Sequence, residues 1–438
     1  MQSFLEVTNL SVAFPDRGFQ AVCDVSFEIN PGEVVGLLGE SGAGKTTLAW
    51  TLLNLPPSGA HLSGTVHFEG IDLLNLPEQK IRAVRGSKIA LIPQEPCSAL
   101  HPLMRIGDQI REVLLAHGVN ISTECDLRIR WALENAGLPI DERILRAYPH
   151  QLSGGERQRA AIAQVLACRP RLIIADEPTS SLDATTQSEI LELLKNLKHK
   201  FNLALLFITH NPANLEGLAN RVLVMSEGRI VESGQMVSVF QEPKHRYTRA
   251  MLEAVELLYR ESAQDGEGRS PSASMPALRA SGLRKAYTWR NRPGRRRHVV
   301  TALNGLDLSL FHGRTLAIVG QSGCGKSTLG RCLAGLEKVD SGEIWIEKTD
   351  SRSVQYIFQD AFAAMNPRLT VAEIITEPYR IREDGSKRER LERALHLMSL
   401  VGLSARLAES FPAELSGGQK QRAVVARARC RCEDFDFR

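Results

Sequence analysis

An α/β fold built twice is what this sequence predicts, and three observations carry that reading. Continuous apolar runs, Val34–Leu38 in the first half and Thr315–Val319 in the second, each lead into a glycine-rich turn and then a helical stretch. The turn has the same spacing both times. Gly39-Glu40-Ser41-Gly42-Ala43-Gly44-Lys45-Thr46 and Gly320-Gln321-Ser322-Gly323-Cys324-Gly325-Lys326-Ser327 both read G-x-x-x-x-G-K-[ST]. A second motif also returns, Leu152-Ser153-Gly154-Gly155-Glu156 as Leu415-Ser416-Gly417-Gly418-Gln419. A run apolar at every position suits a strand buried on both faces of a sheet. Glycines after such a strand let backbone N–H groups wrap around phosphate oxygens at a helix N-terminus. Two loops of this kind, each followed by LSGG, exclude chance.

The elements follow in chain order. Leu10–Phe14 and Val25–Ile29 alternate apolar and polar residues, as do Leu283–Tyr287 and Leu306–Leu310. Alternation predicts half-buried antiparallel strands ahead of each phosphate loop. Ile89–Pro93 reads as a strand that ends at Gln94. Residues from about Gly107 to Tyr148 have helical periodicity without a strong strand, and Val371 to Ser410 repeat this. Both predict a helical subdomain inserted between the phosphate loop and LSGG. Leu172-Ile173-Ile174-Ala175 is a buried strand delivering Asp176 and Glu177, and Leu203–Ile208 is another, delivering His210 after Thr209. Residues 261–276 are rich in Ser, Gly, Pro and acidic side chains, a flexible-linker composition. The expected organisation is a complete unit over 1–258, a linker over 259–276 and a second unit over 277–438.

Composition narrows the function classes. With 438 residues, 43% hydrophobic and 24% charged, the chain is ordinary globular protein, and two domains fit its length. A net charge of +4 gives no argument for nucleic acid. No apolar run approaches the ~18 residues of a membrane span, and no signal peptide opens the chain, so membrane association is expected through a partner. The eight cysteines are scattered without Cys-x-x-Cys pairs and read as reduced thiols. Cys430-x-Cys432 is a weak metal hint without companion ligands. The run from Arg290 to Arg297 reads as a solvated loop, the alternative being contact with anionic lipid headgroups.

Each candidate side chain is matched to a step of phosphoryl chemistry. The loops contribute Gly39, Ser41, Gly42, Gly44, Lys45, Thr46 and Thr47, and Gly320, Gly323, Gly325, Lys326, Ser327 and Thr328. A lysine in this pattern reaches the β- and γ-phosphates, and the hydroxyl of Thr46 or Ser327 can ligate Mg²⁺. Asp176 would hold Mg²⁺, directly or through water, and Glu177 would polarise the attacking water. A solvated acidic turn would look the same in isolation; the phosphate loop upstream favours catalysis. A lone histidine is more often structural, but His210 at a second buried strand end points to the γ-phosphate. Gln94, also at a strand end, suits an amide that senses water or Mg²⁺.

In this order the motifs resemble the ATP-binding cassette (ABC) ATPases over essentially the whole length, as two P-loop cassettes in one chain. The resemblance implies ATP and Mg²⁺ as ligands. It implies that Phe14 and Tyr287 stack on adenine and that Gln94 and Gln359 are the Q-loop glutamines near Mg²⁺. Ser153, Gly154, Gly155, Ser416, Gly417 and Gly418 match the signature, Ser181-Leu182-Asp183 the D-loop with Asp183, and His210 the switch histidine. Gln94-Glu95-Pro96 through Leu100-His101-Pro102, Gln359-Asp360 through Met365-Asn366-Pro367, and Pro243-Lys244-His245-Arg246-Tyr247-Thr248 resemble the peptide/nickel importer ATPases, with Arg246 departing from their usual proline. That narrower resemblance implies two transmembrane permease subunits, a solute-binding protein and a peripheral place on the cytoplasmic face of the inner membrane. Some members carry a cysteine cluster after the last segment; none is present here, so no iron–sulfur cluster is expected.

In such proteins ATP lies between one cassette's phosphate loop and the other's signature loop. Asp176 and Glu177 follow Ser153 by 23 and 24 residues, and the same offsets from Ser416 pass Arg438. The second unit is therefore expected to end before its carboxylate pair. Glu433, Asp434 and Asp436 are poor substitutes, since Arg431–Phe435 is no apolar strand. The abrupt Arg427–Cys432 tail reads as that of a fragment or frameshifted product. Two pairings are open: Lys45 completed by Ser416, or two chains joined through their first cassettes as a homodimer. The competing classes are a twin-cassette ATPase acting on ribosomes, which carries a long charged helical linker, and an ATP-binding product without transport activity. DNA-repair cassettes carry zinc-binding cysteine pairs, absent from this sequence.

Overall fold

The computed structural model describes residues 4–94, 99–180, 182–254, 275–289, 298–321, 323–347, 354–359, 361, 364–381 and 385–430. The chain divides into two compact units, Met1–Gly268 and Arg269–Arg438. Most of the expected linker, Ser181, the arginine-rich 290–297 segment, Asp360, Cys432 and the three acidic residues after it lie outside the described residues.

In the first unit, β1 (Leu5–Phe14) pairs antiparallel with β2 (Phe19–Ile29), Leu5 opposite Ile29. Their alternating residues bury one face, as the period of 2 requires. β4 (His61–Phe68) and β5 (Ile71–Asp72) complete a four-stranded sheet in the order β2-β1-β4-β5. The larger sheet has six strands in the order β10-β9-β3-β8-β7-β6. These are β3 (Val34–Leu38), β6 (Ile89–Ile92), β7 (Leu172–Asp176), β8 (Ala204–Thr209), β9 (Arg221–Ser226) and β10 (Arg229–Gln235). β9, β3, β8, β7 and β6 run parallel, and β10 is an antiparallel edge.

The apolar runs have a simple cause. On β3, Val34 and Leu38 face a core shared with the helices, while Val35 and Leu37 face a core shared with the smaller sheet. β7 divides the same way, Ile173 and Ala175 to one core and Leu172 and Ile174 to the other. A strand with core on both sides cannot alternate with polar residues. The predicted helical subdomain forms as Ile106–Ala116, Ser122–Asn135 and Glu142–Arg146, ahead of the helix Gly154–Leu166.

In the second unit, β11 (Leu278–Trp289), β12 (His298–Leu310) and β13 (Ser341–Ile346) form an antiparallel sheet in the order β12-β11-β13. The helices Val371–Ile375, Glu377–Ile381, Lys387–Leu400 and Gly417–Arg429 follow. One expectation is corrected here. Thr315–Val319 is not a buried strand: residues 315–319 have no regular structure, and Val319 is 91% exposed. β3, its counterpart, is hydrogen-bonded to β8 on one side and β9 on the other. No described strand of the second unit offers such partners, so the same apolar pattern has no ladder to join.

Candidate functional site

Lys45, Gln94, Asp176, Glu177 and His210 all lie at or just beyond the C-terminal edge of the six-stranded sheet, where open α/β sheets place ligands. Parallel pairing sets Leu38 of β3 beside Thr209 of β8, and Asp176 of β7 beside Ile208. The strand register thus brings the phosphate loop, the acidic pair and His210 to one line.

The loop leaves β3 and closes on the helix Lys45–Leu52, whose N-cap is Gly44 at φ 98°. A Cβ at Gly44 would lie 2.1 Å from the Ala21 carbonyl oxygen, so the residue is required for both its backbone angle and its lack of side chain. The first-turn N–H groups of that helix are free for an anion. Lys45 folds back over the loop, its Nζ donating to the carbonyls of Gly39 and Glu40, each at 2.8 Å. It is only 5% exposed and lies 3.9 Å from Glu177 Oε1. Burial lowers the ammonium's affinity for its proton, and the charges of Glu177, Asp176 and Glu40 oppose that.

Glu177 is the hub. Gln94 Nε2 donates to its Oε2 at 3.2 Å, and His210 Nδ1 lies 3.0 Å from its Oε1. The carboxylate is 9% exposed, whereas His210 is about half exposed. Glu177 has φ 46°, a left-handed conformation uncommon for a residue with a side chain. Its N–H donates to the Ile208 carbonyl at 3.0 Å, and its carbonyl accepts from the Ser180 hydroxyl at 3.1 Å, which holds the turn. Asp176 is buried, and its Oδ1 has no hydrogen-bond partner. Burial pushes its carboxyl up; the Thr46 hydroxyl beside it and the Lys45 charge pull the other way, and Glu177 adds to the rise. The arrangement can hold a triphosphate at the loop, a cation between Thr46 and Asp176, and a water against Glu177.

The other expected residues fall into place less directly. Ser153 caps the helix Gly154–Leu166, its Oγ accepting from Glu156 N–H at 3.2 Å while Glu156 Oε2 accepts from Ser153 N–H at 2.9 Å. Gly155 is needed because a Cβ there would meet Thr186 Cγ2 at 2.7 Å. Asp183 caps the helix Ala184–Phe201 by accepting from Thr186 N–H and Oγ1 at 3.2 and 3.0 Å. Phe14 is only 9% exposed; its ring stacks on Phe19 at 5.3 Å and 5°. Phe19 is 52% exposed, and sequence reading missed it because nothing in its spacing marks it.

The described glycines of the second phosphate loop match those of the first, Gly323 at φ 82° beside Gly42 at 89°. Gly325, at φ 102°, caps the helix Lys326–Leu333, and Lys326 Nζ donates to the carbonyls of Gly320 and Gln321 at 2.5 and 2.7 Å. Among the described residues no carboxylate pairs with Lys326. Tyr287 Oη lies 3.4 Å from Thr328 Oγ1, Ser327 and Gln359 are exposed, and Ser416 caps the helix Gly417–Arg429 as Ser153 does its own.

The chain resembles proteins of known activity. The ABC transporter family profile matches residues 22–180 and 303–435. The peptidoglycan transport ATP-binding protein YejF of Agrobacterium fabrum (strain C58) is 41% identical over 98% of this chain and 80% of its own length. The glutathione import ATP-binding protein GsiA of Escherichia coli O157:H7 is 36% identical over 97% of this chain and 75% of its own length. The solved structure of cbiO1 from Clostridium perfringens, part of the ABC transporter complex cbiONQ, is 28% identical with a TM-score of 0.49, covering 59% of this chain and 100% of its own.

Proposed function

This chain belongs to the ABC transporter family, as an ATP-binding, ATP-hydrolysing subunit of an import system, and from that premise we propose that the solute it moves is a short peptide or peptide conjugate. The observation that carries the ATPase reading is the convergence of Lys45, Gln94 and His210 on the single carboxylate of Glu177. The relatives' names support the solute class, since peptidoglycan carries short peptides and glutathione is itself a short peptide.

In the proposed mechanism the loop N–H groups and Lys45 bind the β- and γ-phosphates, which requires Lys45 to leave the Gly39 and Glu40 carbonyls. Glu177, oriented by the Gln94 amide and His210, accepts a proton from the attacking water as its oxygen bonds to the γ-phosphorus and the bond from that phosphorus to the β–γ bridging oxygen breaks, releasing ADP and inorganic phosphate. His210, half exposed beside Glu177, would contact the γ-phosphate. Thr46 and the buried, unpartnered Asp176 Oδ1 fit a Mg²⁺ ion, which would neutralise phosphate charge. Removal of Mg²⁺ with EDTA is therefore expected to stop turnover. Asp176→Asn should weaken Mg²⁺ activation, read as a rightward shift in the Mg²⁺ dependence of the rate. An unshifted dependence in that variant would remove Asp176 from the metal.

None of the described helices is long and apolar enough to cross a membrane, so the chain is proposed to act peripherally on separate permease subunits with a solute-binding protein. Uptake of labelled glutathione and of a labelled muropeptide, in cells supplying the cognate permease, tests the solute. We expect uptake of at least one, lost in a Lys45→Ala strain. Normal ATP hydrolysis with neither solute moved would overturn the solute class alone.

A further inference from the structure

The segment Pro243–Thr248 has no part in the chemistry above, yet it reaches the phosphate loop. Glu40 N–H donates to the Tyr247 hydroxyl at 3.0 Å across 207 residues of chain. The same residue's carbonyl accepts from Lys45 Nζ at 2.8 Å and from Ala43 N–H at 3.2 Å. The peptide groups flanking Glu40 are thus gripped on both sides, one by a distant tyrosine and one by the loop's own lysine. Tyr247 is anchored in turn. Glu232 of β10 accepts from the N–H groups of Lys244 and His245 at 2.8 and 3.0 Å, and Tyr247 N–H donates to His245 Nδ1 at 3.3 Å. Residues 246–254 are helical, and Tyr247 packs against the core between the large sheet and its helices.

We propose that Tyr247 is a positioning residue for ATP binding, which fixes the entrance of the phosphate loop through Glu40. The inference rests on the ATPase reading above. Its physical basis is the hand-over of Lys45. When the ammonium moves from the Glu40 carbonyl to a phosphate, that carbonyl keeps only Ala43 N–H, and the loop entrance loses one of its ties. The Tyr247 bond then holds the start of the loop in the geometry that aims the following N–H groups at the phosphates. A tie that pre-orders a binding loop raises affinity by reducing the ordering cost paid on binding. Loss of one such neutral hydrogen bond corresponds to about a three- to tenfold change in affinity.

Tyr247→Phe in the full chain isolates the hydroxyl while keeping the ring in the core. The expected result is a KM for ATP and a Kd for a fluorescent ATP analogue raised about three- to tenfold, with kcat and melting temperature unchanged. Hydrogen–deuterium exchange of the peptide covering residues 38–44 should be faster in the variant without nucleotide, a readout independent of turnover. Unchanged Kd together with unchanged exchange overturns the proposal. So does a fall in kcat and melting temperature with KM unmoved, because that describes a packing residue. A wild-type chain that binds no nucleotide sinks the ATPase reading itself, and the exchange comparison still decides whether Tyr247 holds Glu40.

Discussion

Glu177→Gln is expected to lower ATP turnover by about 10²–10⁴-fold while leaving ATP binding near normal. The size follows from its position. Glu177 is nearly buried, with the Gln94 amide on one oxygen and Lys45 and His210 near the other, so few other bases reach the same point. Glutamine is the informative replacement because it has the same shape. It can still accept from Gln94, and the left-handed backbone at this position, held by Ile208 and Ser180, is unaffected. What is lost is the negative charge and the proton acceptor. Steady-state hydrolysis measured beside equilibrium binding of a fluorescent nucleotide separates the two effects. Retention of more than about a tenth of wild-type turnover, in a preparation free of contaminating ATPase, would remove Glu177 from this role.

Lys45→Ala is expected to weaken nucleotide binding and to lower hydrolysis by about 10²–10³-fold, whereas Lys326→Ala should leave most hydrolysis intact. The two lysines follow glycines of the same backbone conformation, Gly44 at φ 98° and Gly325 at φ 102°. Their surroundings differ. Lys45 is 5% exposed and paired at 3.9 Å with the carboxylate proposed to activate water. Lys326 bonds to the loop carbonyls of Gly320 and Gln321 and to the Cys324 sulfur, and no described carboxylate pairs with it. Losing the buried ammonium also leaves Glu177 and Asp176 as unopposed neighbouring charges. Lys45→Ala is therefore expected to raise the pKa of Asp176 further, where burial already pushes it up. Parallel rate and binding measurements on both variants check the asymmetry. Equal losses would show that the two loops act as one unit.

How much of this was legible in the sequence differs from element to element. Lys45, Asp176, Glu177 and His210 were found because glycine spacing and apolar runs are local signals. A phosphate loop needs its glycines at fixed offsets, and a strand with core on both faces must be apolar at every position. Both requirements are written into short stretches of chain. The order of those stretches in the six-stranded sheet is not. Gln94 is 83 residues from Glu177, yet its amide lies 3.2 Å from that carboxylate. β6 and β7 pair in parallel, which aligns their C-terminal ends. Phe19 and Tyr247 were likewise invisible as partners, because a stacking face and a hydroxyl aimed at a backbone N–H depend on where distant segments meet.

Thr315–Val319 shows the boundary between the two kinds of information. Its sequence has the apolar pattern of Val34–Leu38, and reading it alone gives the same buried strand. By itself, then, the sequence determined the fold class and the spacing of the two glycine-rich loops. Tertiary structure decided which apolar run becomes a strand and which side chains converge on Glu177. A strand exists only when neighbours satisfy its N–H and C=O groups, as β8 and β9 do for β3, and those neighbours come from residues far along the chain.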